Sequence, residues 1–146
     1  MTHAHVYDFL KQHHMGILST VTEDSKPWGS AIYFVVDEEF NIFFVTRVKT
    51  FKYQNLDRNP FAALTVADEE DQTTVQFMGK ISPVEPKDYT DIVFTKLAGI
   101  RPKNDINWAP PLEKVYKGDY MPLRLTPSRL QYANYKQFKS DVHDDY

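Results

Sequence analysis

N-I-F-F-V-T-R-V-K-T-F-K-Y-Q-N-L-D-R-N-P, residues Asn41 to Pro60, reads as a strand that runs straight into a short helix. Ile42, Phe43, Phe44 and Val45 are the β-branched and aromatic types that suit a pleated, half-buried surface. Phe51 to Arg58 has helical composition, and Asn59-Pro60 stops it. The joint between the two elements carries Arg47, Lys49 and Lys52, with no Asp or Glu from Phe40 to Leu56. A helix start is electropositive, so each cation there costs roughly 0.3–1 kcal/mol unless an anion offsets it. A phosphate is such an anion, and unpaired amides, a Thr hydroxyl and ammonium groups would converge on it. A solvated basic surface is the other reading of the same charges. Neither G-x-x-x-x-G-K-[ST] nor G-x-G-x-x-G occurs, so any phosphate site is not a familiar nucleotide loop.

Outward from this segment the chain reads as strands and tight turns. His5 to His14 is an amphipathic helix with Val6, Phe9 and Leu10 at helical spacing. Strands are expected over Met15–Thr22, Trp28–Val36 and Phe40–Arg47, separated by turns at 23–27 and 37–39. Such short connections make an antiparallel meander. Beyond the helix come a strand over Phe61–Ala67, an acidic loop tip at Asp68–Asp71 with no further role, and a long strand over Thr73–Pro83. Gly79 inside that strand signals a bulge or a close backbone approach. A third helix begins at Pro86 and carries through Ile92, Val93 and Leu97. Gly99–Gly118 resists reading. Strands over Tyr120–Thr126 and Arg129–Tyr135 flank a break at Pro127-Ser128, and a loose charged tail runs from Lys139 to Tyr146. The expected fold is mainly β with a few helices. It is one domain, residues 1–146, holding an antiparallel split or closed barrel of six to seven strands with flanking helices, because a sheet of that size must hide its edges.

Composition narrows the function. The chain has 146 residues, 42% hydrophobic and 14% aromatic, enough for one real core. A net charge of −3 and a pI near 5.9 argue against a general nucleic-acid binder. With no cysteine there is no disulfide frame, thiolate metal site or thiol nucleophile. No run reaches transmembrane length and no secretory signal is visible, so a cytoplasmic protein without membrane contact is expected.

The order of elements, with P-W-G-S-A-I-Y-F on the second strand, V-Q-F-M-G-K-I on the fifth, and T-R-V-K-T-F-K-Y-Q-N-L-D-R-N-P between them, resembles the FMN-binding split-barrel family typified by pyridoxamine 5′-phosphate oxidase and its shorter relatives. The resemblance covers about Phe9 to Val84. It implies FMN as cofactor and a homodimer with the flavin site at the subunit interface. It also implies that Ser30, Ala31 and Ile32 lie along the flavin and its ribityl chain, and that Val45 and Thr46 meet the ring edge. Lys49, Thr50 and Lys52 would hold the 5′-phosphate, and Thr74 or Gln76 would reach ring or ribityl oxygens. The family's basic residue on the second strand has no counterpart near Gly29, and its substrate-binding Trp and Arg residues have none beyond a rough match at Arg124 and Arg129. The resemblance thus points to a flavin site more than to vitamin B6 chemistry. The expected activity is an FMN-dependent oxidoreductase acting on a small molecule, with no catalytic acid or base assignable. The alternatives are a flavin-binding stress-response protein without turnover, or the same barrel carrying haem or a deazaflavin.

Other chemistry-bearing residues have plainer readings. His13 and His14, adjacent at a helix end, point in different directions and suit the helix dipole better than a metal; no metal site is expected. Trp28 and Trp108 are candidates to stack on a flavin, or aromatic anchors for loops.

Overall fold

The computed structural model describes residues 3–93, 119–136 and 143–144. In chain order the elements are α1 (His3–Lys11), β1 (Met15–Val21), β2 (Pro27–Val36), β3 (Ile42–Arg47), α2 (Phe51–Arg58), β4 (Phe61–Asp68), β5 (Thr73–Pro83), α3 (Pro86–Asp91), β6 (Tyr120–Asn134) and β7 (His143–Asp144). All strand pairings are antiparallel. The order β3-β2-β1-β4-β5-β6 closes on itself because β6 also pairs with β3. This is a six-stranded closed barrel of the split-barrel type, as the sequence predicts.

One long strand makes closure possible. The sequence expectation of two strands broken at Pro127-Ser128 is corrected: β6 runs unbroken for 15 residues. Its first half pairs with β3 from Tyr120↔Arg47 to Leu125↔Ile42, and it pairs with β5 from Leu123↔Pro83 to Asn134↔Thr73. The β5–β6 register shifts between Met78 and Gly79: Met78 pairs with Arg129 and Gly79 with Pro127, so Ser128 of β6 is the extra residue of a bulge beside the proline. A proline cannot donate to the ladder, so a bulge is where a sheet tolerates one. Gly79 is required there because a Cβ would lie 2.0 Å from the Thr126 carbonyl oxygen.

Period-2 alternation sends one set of side chains inward. Leu18, Ile32, Phe34, Ile42, Phe44, Leu64, Val66, Val75, Phe77 and Leu125 fill the barrel. Its two ends are plugged by helices. Val6 and Leu10 of α1 enter beside Phe40, which follows β2, and Leu56 of α2 enters at the opposite end, where β2 begins. Fully burying a side chain such as Leu10 or Leu56 contributes about 2 kcal/mol. On the outside of β2 and β3, Val35 and Phe43 pack under Tyr89 and Val93 at the end of α3. Burial among these groups raises the Tyr89 phenol well above its usual value.

Smaller expectations also shift. α1 ends at Lys11, not His14. The third helix covers 86–91 with Ile92 and Val93 following; its expected continuation to Leu97 lies outside the described residues, as do Gly99–Gly118 and Trp108. Within the expected loose tail, His143 and Asp144 pair with Tyr132 and Gln131 of β6.

Candidate cofactor site

The start of α2 is built by two threonines. Thr50 is the N-cap, in extended backbone, and its hydroxyl accepts from the Tyr53 amide at 3.3 Å. That hydroxyl donates its one hydrogen to the Arg47 carbonyl at 2.8 Å. The 3.3 Å contact between Thr46 Oγ1 and Thr50 Oγ1 is therefore a bond donated by Thr46, which is buried. A phosphate taking a hydrogen from Thr50 would have to displace the Arg47 carbonyl. The Thr50 amide donates to Arg47 and the Val48 amide to Asp119. The first-turn amides of Phe51 and Lys52 have no partner among the described residues, which leaves them available to an anion.

Lys52 gives this end its character. It is half-buried, burial holds its pKa below the usual lysine value, and no carboxylate pairs with it among the described residues. Partly desolvating an ammonium without a counter-charge is unfavourable, so the site as folded favours an incoming anion. Lys49 is exposed, and Arg47 lies over the Tyr120 ring at 5.9 Å. Trp28, at the start of β2, meets Phe51 edge-to-face at 5.1 Å; both are largely exposed, so Trp28 is not the buried anchor of a loop. This contact brings the start of β2, and hence Ser30 and Ala31, toward the start of α2.

The other expected contacts divide by strand parity. Ala31 faces outward and is exposed, whereas Ile32 is barrel core, so Ile32 can meet a ligand only through its main chain. Ser30, on the inward parity, is half-buried. Val45 faces outward onto the α3 cluster, while Thr46 faces inward. Adjacent strand residues cannot share a face, a signal already present in the sequence. Thr74 and Gln76 face outward on β5. One row crosses the sheet as Ala31–Ile17–Thr65–Gln76, so Ala31 and Gln76 stand three strand spacings apart, about 14 Å. A single protomer brings Thr46, Thr50 and Lys52 together near Ser30 and Ala31, but not with Thr74 and Gln76.

Sequence reading missed two polar features. Asp68, assigned to an idle loop tip, ends β4 and meets His13 Nε2 at 2.7 Å, while His13 Nδ1 lies 2.6 Å from the Phe9 carbonyl at the end of α1. The pair clips α1 to the barrel across 55 residues of sequence. The second is Asn55, fully buried in α2. A cleft of about 770 Å³ between α3 and β6 contains none of the ten expected site residues; Glu85, Asp88 and Asp91 line it with Arg124, a balance that disfavours a phosphate. Among the described residues, no group of three or more potential ligands could hold a metal, and no helix is long and apolar enough to cross a membrane.

A six-stranded barrel plugged by two helices, with a half-buried ammonium at the start of one of them that no carboxylate among the described residues pairs, defines a protein of the split-barrel class. The chain belongs to the pyridoxamine 5′-phosphate oxidase family, whose model matches residues 2–134. Among solved structures, it resembles a conserved hypothetical protein from Mycobacterium tuberculosis with a TM-score of 0.71 at 22% identity, covering 94% of this chain and 88% of that one. A haem-binding protein from Mycobacterium smegmatis gives 0.72 at 16% identity, covering 99% of this chain and 58% of the other. A pyridoxamine 5′-phosphate oxidase-related, FMN-binding protein from Nostoc punctiforme gives 0.61 at 13% identity, covering 99% and 93%. Among curated proteins, none matches this chain in sequence.

Proposed function

We propose that this chain is a cytosolic, homodimeric FMN-binding oxidoreductase acting on a small molecule. The observation that carries the proposal is Lys52: a half-buried ammonium, beside open first-turn amides, with no carboxylate among the described residues to offset it. Those groups fit a terminal phosphate, and the membership of the chain in a flavin-using family supports FMN as its bearer. When bound, the flavin supplies hydride or electron transfer, and the protein supplies position and shelter from water. Lys52 and the α2 amides would hold the phosphate, with exposed Lys49 adding longer-range attraction. Ala31 offers a small apolar surface beside which a flat ring can lie.

Titrating the pure protein with FMN, riboflavin, a deazaflavin phosphate and haemin tests the reading and its alternatives together. FMN is expected to bind at micromolar protein or below with altered ring fluorescence, and more tightly than riboflavin. An unchanged FMN spectrum at high micromolar protein would sink it. The haem-binding neighbour supports haemin as the competing arm, and a Soret shift without any flavin response would favour it.

Two observations support the dimer. Thr74 and Gln76 stand three strand spacings from Ala31 in one copy of the chain, and a second copy packed on this face would bring both sets to one ligand. Met15, Ile17, Tyr33, Phe61 and Met78 are large, exposed and share the outer face of β2-β1-β4-β5, the kind of apolar patch that marks an interface. Sedimentation is expected to show a dimer; a monomer that still holds FMN tightly would refute the shared site.

A further inference from the structure

We infer that Thr20 and Asn55 form a positioning pair that sets the depth of Lys52 in the site, and so governs how strongly the protein prefers a phosphorylated flavin over the same flavin without its phosphate. This rests on the phosphate reading above and adds residues outside it. α2 has two buried side chains, Asn55 and Leu56. Leu56 gives the helix an apolar contact, which is non-directional and tolerates sliding or rotation. Asn55 is the directional contact. Its Nδ2 donates to Thr20 Oγ1 on β1 at 3.1 Å, and its Oδ1 accepts from Arg58 Nη2 at 3.1 Å. Thr20 is itself buried and its hydroxyl reaches the Trp28 carbonyl at 3.5 Å, so the pair ties α2 to the strands beside which Ser30 and Ala31 lie.

Lys52 is three residues before Asn55, hence on the same face of the helix one turn nearer its start. Slipping α2 by one residue would displace that face by about 1.5 Å and turn it by about 100°. Lys52 would then leave its half-buried position. The hydrogen bond between Asn55 and Thr20 is what makes one register the favoured one. Asn is a poor helix former, so burying it mid-helix carries no benefit from propensity; the benefit is orientation.

The test compares Kd for FMN and for riboflavin, with the melting temperature of each variant. Thr20→Val keeps the volume and removes the acceptor. Its riboflavin affinity is expected to stay near wild type while FMN binding falls about tenfold, the effect of one lost polar contact. Thr20→Ser, which keeps the hydroxyl, is expected to retain the wild-type ratio. Val66→Ala, in the barrel core away from α2, should lower the melting temperature without changing the ratio. Should Thr20→Val fail to fold, Asn55→Ala read at low temperature carries the same expectation. A folded Thr20→Val or Asn55→Ala protein with the wild-type ratio overturns the inference. A wild-type protein that binds both flavins equally overturns the phosphate reading, and this inference with it.

Discussion

The protein with Lys49 and Lys52 both replaced by alanine is expected to bind FMN about a hundredfold more weakly or worse, and riboflavin almost as before. Charge-assisted hydrogen bonds contribute roughly 1.5–3 kcal/mol each. Lys52 should supply most of the loss because it is half-buried, where attraction is screened less. Lys49 is exposed and should contribute the small amount usual for a surface charge. The apo protein offers an independent check. Burial lowers the Lys52 pKa in the folded chain relative to its value of 10.5 when free. The folded state therefore binds that proton less well than the unfolded state does. The resulting penalty on folding is fully present below the folded pKa, fades as pH rises from there toward 10.5, and is gone above it. At neutral pH, Lys52→Met should remove the penalty, so the apo variant is expected to melt no lower than wild type while losing FMN. Equal losses for FMN and riboflavin, or a Lys52→Met protein that melts well below wild type, would mean that Lys52 is a structural residue.

Gly79→Ala is expected to produce the largest change in stability. An added methyl would stand 2.0 Å from the Thr126 carbonyl oxygen, 2.8 Å from the carbonyl carbon and 2.9 Å from Pro127 Cα. All three are backbone atoms, so no side-chain rotation relieves the clash. The β5–β6 pairing must part just where its register shifts. Overpacking a rigid site costs about 1–3 kcal/mol and occasionally more; with main chain as the obstacle, about 3 kcal/mol is expected. For a chain of this size that lowers the melting temperature by on the order of 10 °C. Thermal or urea unfolding measures it. A midpoint equal to that of wild type would mean that the two strands separate there at little cost, and that β6 does not depend on this bulge to close the barrel.

Much of this architecture is written locally. Ile42 to Val45 reads as a buried strand, Thr50 caps the helix that Asn59-Pro60 ends, and Gly79 marked the close backbone approach of β6. Each signal depends on backbone preferences within a few residues of chain. Pro127-Ser128 misled because the same proline that ends an isolated strand is tolerated at a bulge, and the bulge at Ser128 takes shape only when β6 lies against β5, some fifty residues earlier in the chain. His13 and Asp68 gave no hint of each other, since nothing local couples groups 55 residues apart. The alternation that separates Ala31 from Ile32 and Val45 from Thr46 was legible, and it sorts the flavin contacts implied by family resemblance into those that can face a ligand and those that fill the barrel.

By itself, the sequence determined that a strand would feed a helix whose first turn is basic and lacks acids, because composition and capping act over single turns of chain. Only the tertiary structure decided that Lys52 is partly withdrawn from water with no counter-charge among the described residues, since that depends on where Asn55 and Leu56 seat α2 against β1. It also decided that Ala31 and Gln76 lie on one face yet three strands apart, because strand order is fixed by long-range pairing and not by any property of the strands taken singly.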